Sequence, residues 1–93
     1  MTQRADRMRQ TLEARFQPAL LEITDDSARH AGHAGASPGG ETHYSVHIVS
    51  AAFAGMSRVA RSRAVHEALA GEFATGLHAL ALRLQSAEEV NQA

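Results

Sequence analysis

The spacing of the hydrophobic residues changes along this chain, and that change restricts its fold more than any other feature. In residues 2–16 and again in 58–74, apolar side chains recur every three or four positions, as in an amphipathic helix. In residues 42–50 and 77–85 they alternate with other residues, as in a strand with one face in the core. A shorter run at 20–24, with Leu, Ile and Thr, predicts a further strand. The predicted order of elements is therefore α-β-β-α-β.

The connections between these elements restrict how the strands can pair. A whole helix separates the second strand from the third, and a crossover of that length permits parallel pairing, which is right-handed in nearly all known cases. The first two strands are joined only by a loop, which favours antiparallel pairing. The predicted fold is α+β, with a three-stranded mixed sheet and both long helices on one face of it.

Residues 28–41 contain four Gly, one Pro and no large apolar side chain. This composition predicts a mobile loop, and loops of this length inside a compact domain are often functional. Residues 86–93 predict a C-terminal tail that is frayed or forms a short helical turn. A chain of 93 residues is long enough for one small domain, which we expect to cover residues 1–93.

The composition excludes several classes of function. The chain contains no Cys, so by itself it forms no disulfide and no cysteine-ligated metal site. Its formal net charge of -1 gives little attraction to phosphate backbones or to anionic membranes. The sequence shows no signal peptide and no run of about 18 apolar residues, so we expect a cytoplasmic protein that does not associate with membranes.

Sequence signatures of catalysis are weak. The chain has no phosphate-binding loop and no dinucleotide fingerprint. Asp25 and Asp26 are consecutive, so in an extended chain their side chains point to opposite sides. We therefore expect no enzymatic activity of its own.

Four stretches of the sequence resemble the BolA family: HAGHAG in the loop, GETHYSVHIVS over the second strand, FAGMSRVARSRAVHEAL into the second helix, and GLHALALRL in the third strand. The resemblance implies a variant of the type II KH fold, which agrees with the order of elements above. It also implies a partner, because BolA-like proteins form heterodimers with monothiol glutaredoxins that hold a [2Fe-2S] cluster in iron homeostasis. Some bacterial members are instead described as DNA-binding regulators of morphology and stress genes.

Six His residues are the compositional oddity of the chain, and imidazole is a competent ligand of iron. His78 matches the family's cluster-ligand His; its spacing alone also fits a strand-edge residue that faces solvent. In the loop, His30 and His33 lie where the family carries a second His or Cys ligand, and a solvated loop without a role is the alternative. The resemblance thus implies a [2Fe-2S] cluster shared with a monothiol glutaredoxin and its glutathione, with none in the isolated chain.

The other His residues are interpreted as structural or surface positions. His43 matches a position that is commonly His in the family, but the alternation places it on the face opposite Tyr44. His47 and His66 follow the pattern of ordinary surface residues. Any site built from imidazoles would respond to mild acid.

Arg58, Arg61 and Arg63, at the start of the second helix, are candidates for binding DNA or a partner protein. Arg58 and Arg61 are three residues apart and can share a helix face. Two departures from the family pattern weaken the DNA interpretation: Ser62 interrupts the usual R-H-R word, and Met56 stands where Lys is frequent. Because Arg is common in protein interfaces, an acidic surface of a partner protein is the alternative. Alone, the chain is expected to be a monomer or a weak homodimer.

Overall fold

The computed structural model describes residues 3–26 and 42–91. Its elements in chain order are α1 (Gln3–Phe16), β1 (Leu20–Asp25), β2 (His43–Val49), a short 3-10 helix (Ala51–Phe53), α2 (Arg58–Ala68), α3 (Ala70–Ala74), β3 (Ala79–Gln85) and α4 (Ala87–Asn91). The predicted order of helices and strands is confirmed, and α4 occupies part of the predicted C-terminal tail. The predicted mobile loop of 28–41 lies outside the described residues. None of the described helices has the length and apolarity needed to cross a bilayer.

The three strands form one mixed sheet in the order β1-β2-β3. β1 is antiparallel to β2, with Leu20 opposite Val49. β2 is parallel to β3, with His43 opposite Ala79. The α+β fold with a mixed sheet, as expected from the lengths of the connections, is confirmed. The parallel pairing places the amino-terminal ends of β2 and β3 side by side.

The hydrophobic core lies between the helices and one face of the sheet. Its buried side chains are Ala5, Met8, Leu12, Phe16, Tyr44, Val46, Ile48, Phe53, Val65, Leu69 and Leu77. The predicted apolar faces of α1 and β2 both contribute to this set. The three leucines of β3, Leu80, Leu82 and Leu84, pack against the core and stay half-buried.

The second long helix is interrupted, which corrects the prediction of one helix over 58–74. α2 ends at Ala68, and Leu69 leaves helical geometry with φ -103° and ψ 14° before α3 begins. Gly71 follows the break, and glycine lowers helix propensity. Beyond the break, Glu72 forms a 2.7 Å ion pair with Arg4 of α1. The hydrophobic spacing did not reveal the interruption, because Leu69 is itself buried.

Candidate functional site

His78 lies between a glycine turn and the first residue of β3. Gly76 adopts a φ of 127°, a conformation that favours glycine. Leu77 is buried in the core, and the amide of His78 donates a 2.8 Å hydrogen bond to the carbonyl of Thr42. The imidazole of His78 is exposed, and no described residue forms a hydrogen bond with it. The backbone at this position is therefore fixed while the ring nitrogens remain accessible.

The imidazole of His43 lies beside that of His78. The two ring centroids are 5.4 Å apart, and the ring planes are inclined by 51°. His43 is the first residue of β2 and is only 7% exposed, and its Nδ1 lies 2.9 Å from the hydroxyl of Thr42. His43 was expected to be either a structural or a surface residue, and its burial favours the structural role. Sequence reasoning missed its proximity to His78.

The two imidazoles lie side by side because hydrogen bonds hold the amino-terminal ends of β2 and β3 together. The carbonyl of Thr42 accepts hydrogen bonds from the amides of His78 (2.8 Å) and Ala79 (3.0 Å). The parallel ladder begins at this point and sets His43 opposite Ala79. The sequence indicates this proximity only when two predictions are combined: a His lies near the start of each strand, and the two strands pair in parallel.

A shallow depression of about 230 Å³ opens next to His43, with Asp26 and Ala79 in its lining. The carboxylate of Asp26 accepts a hydrogen bond from the hydroxyl of Ser45, and its amide donates a 2.7 Å hydrogen bond to the carbonyl of His43. No group of three or more His, Cys, Asp or Glu that could hold a metal ion is found in residues 3–26 and 42–91. A metal at His78 would therefore need further ligands from elsewhere.

The predicted loop ligands, His30 and His33, lie outside the described residues, so their role stays a prediction. The imidazoles that the structure brings together are those of His78 and His43. Imidazole nitrogen suits iron and replaces Cys in one class of [2Fe-2S] centre. The donor chemistry at His78 thus fits a single ligand to iron.

His47 and His66 are both engaged by neighbouring groups. The Nε2 of His47 lies 2.7 Å from Oε1 of Gln85, and its Nδ1 lies 3.3 Å from a carboxylate oxygen of Glu22. The Nδ1 of His66 lies 2.8 Å from the carbonyl of Ser62. His66 is exposed, as expected, whereas His47 is half-buried. Neither ring lies in the pair formed by His43 and His78.

The structure separates the three Arg residues that were candidates for one binding patch. Arg61 is only 6% exposed. Its guanidinium donates to the carbonyls of Met56 and Leu84 and forms a 2.6 Å ion pair with Glu89. Hydrogen bonds from Arg61, and then from the amide of Ser86, lower the pKa of Glu89 from 4.5 to about 2. The expectation of Arg61 in a surface patch is corrected here, because it is buried and links α2 to β3 and α4.

Arg58 and Arg63 are both exposed on α2. Arg58 is the first residue of the helix, whose N-cap Ser57 accepts a hydrogen bond from the amide of Ala60. Neither Arg forms an ion pair with a described residue. A cationic surface on this helix depends on these two side chains.

Comparison with known proteins gives a consistent result. The family model described as BolA-like protein matches residues 12–89. The chain is 48% identical over 81 residues to Protein BOLA1, chloroplastic, of Arabidopsis thaliana, a match that covers 85% of this chain and 51% of that protein. It is 39% identical over 84 residues to the DNA-binding transcriptional regulator BolA of Escherichia coli (strain K12), with 90% of this chain and 76% of that protein covered.

The structural comparison agrees with the match of sequences. The BolA domain of SufE1 from Arabidopsis thaliana superposes with a TM-score of 0.87 and 40% sequence identity. This match covers 96% of the present chain and 98% of the SufE1 domain. The chain thus has the fold of that domain, although it spans only about half the length of BOLA1.

Proposed function

The chain belongs to the BolA-like protein family, and from this membership we propose that it is an accessory protein of iron homeostasis that pairs with a monothiol glutaredoxin and its glutathione. The two proteins hold a [2Fe-2S] cluster between them and pass it on. The cluster is cargo, and the isolated chain binds none. In this proposal the protein acts in the cytoplasm and catalyses no reaction of its own.

The setting of His78 is the observation that supports this function best. Its ring is exposed, and its amide is tied at 2.8 Å to the carbonyl of Thr42. Because the backbone is already ordered, binding a metal at the ring costs little further conformational entropy. The ring of His43, 5.4 Å away, packs against one side of His78. These features suit a side chain that offers one nitrogen to a metal at an interface.

The chemistry of the missing ligands points to a partner. Since the chain has no Cys, the sulfur ligands of the cluster come from glutaredoxin and glutathione. His30 or His33 in the loop supplies a second imidazole from this chain. Ligation by His raises the reduction potential above that of a centre held only by Cys. Because His is also the more easily displaced ligand, the proposed site suits transfer or sensing of a cluster more than storage.

Reconstituting a cluster on a mixture of this chain, a monothiol glutaredoxin and glutathione tests the proposal. We expect an absorption and circular dichroism spectrum that differs from that of the glutaredoxin reconstituted alone. His78→Ala should abolish this difference, because the ring nitrogen is lost while the backbone hydrogen bond to Thr42 remains. The control is His66→Ala, which removes an exposed imidazole on α2 and should leave the mixed spectrum unchanged. A mixed spectrum that persists in His78→Ala would exclude His78 as a ligand.

DNA binding is a second candidate function, and the name of one relative supports it. The Escherichia coli protein named DNA-binding transcriptional regulator BolA is 39% identical over 84 residues. In the present chain α2 exposes Arg58 and Arg63, which could contact phosphates. The net charge of -1 and the burial of Arg61 limit the positive surface. DNA binding therefore ranks second.

Titration with duplex DNA at low and at physiological salt tests this second function. If Arg58 and Arg63 both contact phosphates, replacing both with Gln should weaken binding and reduce the salt slope by about two. His78→Ala should leave DNA affinity unchanged. Specific binding at physiological salt that depends on these Arg residues would favour a regulator, and its absence would exclude one.

A further inference from the structure

The outer edge of β3 pairs with no strand of the part of the chain that the structure describes. On its other side β3 pairs with β2. The amide of Ala79 and the carbonyl of Gln85 form hydrogen bonds toward β2. Successive residues of a strand direct their backbone groups to alternate sides. The amides and carbonyls of Leu80, Leu82 and Leu84 therefore point away from β2.

A groove of about 530 Å³ runs along this edge, between β3 and α2. The half-buried side chains of the same three leucines line one wall. At one end, Arg61 donates a 3.2 Å hydrogen bond to the carbonyl of Leu84 and pairs with Glu89 of α4. The outward amides and carbonyls of Leu80 and Leu82 lie in the remaining, open part of the edge.

The exposed charges of this groove are positive. Arg58 of α2 and Arg83 of β3 both line it, and both are exposed. Neither forms an ion pair with any residue that the structure describes. No described Asp or Glu belongs to the lining. Among residues 3–26 and 42–91, the groove thus combines backbone groups of Leu80 and Leu82 without a partner, apolar side chains, and two Arg residues that form no ion pair.

We propose that the outer edge of β3 binds an extended acidic segment of a partner protein as a fourth strand of the sheet. Backbone hydrogen bonds to Leu80 and Leu82 set the register of the segment. Its apolar side chains face α2 and pack on the leucines, and its acidic side chains face the opposite side, where the alternation along β3 places Arg83. Arg58, on the helix side of the groove, adds positive charge that attracts the acidic segment. The preferred sequence therefore alternates acidic and apolar residues. This binding does not depend on the proposed function, because it uses neither iron nor His78.

A single strand of nucleic acid fits the groove less well than a peptide. Proteins hold single strands largely by stacking bases on aromatic side chains. The aromatic ring in the lining, His66, is already stacked on Phe73 with centroids 5.4 Å apart and planes inclined by 18°. The strand edge and the leucine wall match the backbone and side chains of a peptide strand.

Nuclear magnetic resonance of the ¹⁵N-labelled full chain tests the proposal directly. The probe is a peptide of alternating Glu and Val with the seven-residue length of β3. At saturation, hydrogen exchange at the amides of Leu80 and Leu82 should slow about five- to tenfold, because each gains an acceptor. The same peptide with its strand-pairing amides N-methylated should bind at least about tenfold more weakly. A peptide of alternating Lys and Val should not bind.

Variants of the chain test the charges separately. Replacing Arg58 and Arg83 together with Gln should weaken binding of the Glu-Val peptide about 3- to 20-fold. The matched control is Arg63→Gln, which removes an exposed Arg of the same helix outside the groove lining and should leave binding unchanged.

Three results would overturn the proposal. These are the absence of peptide binding, unslowed exchange at Leu80 and Leu82 in the complex, and tighter binding of a single-stranded oligonucleotide than of the Glu-Val peptide. All of these measurements leave His78 unchanged. The spectrum of the cluster shared with glutaredoxin therefore tests the proposed function independently.

Discussion

Arg4, which is buried, and Glu72, which is half-buried, form an ion pair that ties α1 to α3. Arg4 is only 7% exposed, and its Nη1 donates to Oε1 of Glu72 at 2.7 Å and to the hydroxyl of Thr75 at 3.1 Å. Arg7 donates two further hydrogen bonds to the same carboxylate. Removing one partner of a buried pair leaves the other charge uncompensated, which is more costly than the net contribution of the intact pair.

Glu72→Gln should therefore destabilise the protein by about 1–3 kcal/mol at neutral pH. This loss of stability is smaller than is usual when one partner of a buried ion pair is removed, because Arg4 keeps its hydrogen bond to the carbonyl of residue 72. Urea unfolding measures the change. Glu67→Gln, an exposed position on α2, is the control and should change the stability by less than about 0.5 kcal/mol. Equal stability of the two variants would contradict this role of Glu72.

The same carboxylates predict how stability depends on pH. The side-chain hydrogen bond from Arg7 is the main cause that lowers the pKa of Glu72 below 4.5, and Arg61 lowers that of Glu89 to about 2. Because both pKa values are depressed in the folded state, their stabilisation is present above the ordinary pKa of 4.5 and is lost as the pH falls through the lowered values, which for Glu89 is about 2. Urea unfolding across this range should show the loss, and the double variant Glu72→Gln and Glu89→Gln should show less of it. An unchanged slope in that variant would contradict the assignment.

Single residues show both the strength and the limit of the sequence pattern. The apolar stripe of α1 was predicted, and its Met8 and Leu12 are fully buried. The burial of Arg4 and Arg61 was not predicted, because it depends on acidic partners 68 and 28 residues away in the sequence. The positions of those partners are set by the helix break and by α4, which the hydrophobic spacing does not encode.

At the scale of elements, the turn between α3 and β3 determines where His78 stands. Gly76 in this turn has a φ of 127°, and a Cβ added to it would lie 3.2 Å from Nη2 of Arg4. Gly76→Ala should therefore destabilise the fold by about 1–3 kcal/mol. Gly71→Ala is the matched control, because it adds a methyl group to α3 with nothing within 4 Å and should stabilise by about 0.5–1 kcal/mol. Thermal or urea unfolding that shifts both variants in the same direction would contradict this prediction.

The ends of the elements were harder to predict than their existence. The third strand was predicted over 77–85, whereas β3 begins at Ala79. His78 thus lies just before the strand, where its side chain is not part of a regular strand face. The alternation of Leu80, Leu82 and Leu84 identifies the strand, but it cannot locate the first residue, which depends on the hydrogen bonds accepted by Thr42.

For the whole molecule, the parallel pairing of β2 with β3 determines both proposed binding regions. It brings His43 and His78 together at the amino-terminal ends of the two strands. It also leaves β3 at the edge of the sheet, with its groove beside α2. The topology could be predicted from the order of elements and the lengths of the connections. The proximity of the two imidazoles could not, since it requires the register of the pairing as well.

The nitrogen coupling of the reduced cluster tests the role of His78 most directly. The cluster would be reconstituted with a chain labelled with ¹⁵N in its histidines, unlabelled glutaredoxin and glutathione, and examined by pulsed electron paramagnetic resonance. We predict strong ¹⁵N hyperfine couplings from two imidazoles of this chain, of which that of His78 is lost in His78→Ala, whereas both persist in His66→Ala. A cluster without coupling to nitrogen of this chain, or couplings that are all unchanged in His78→Ala, would contradict ligation of iron by His78.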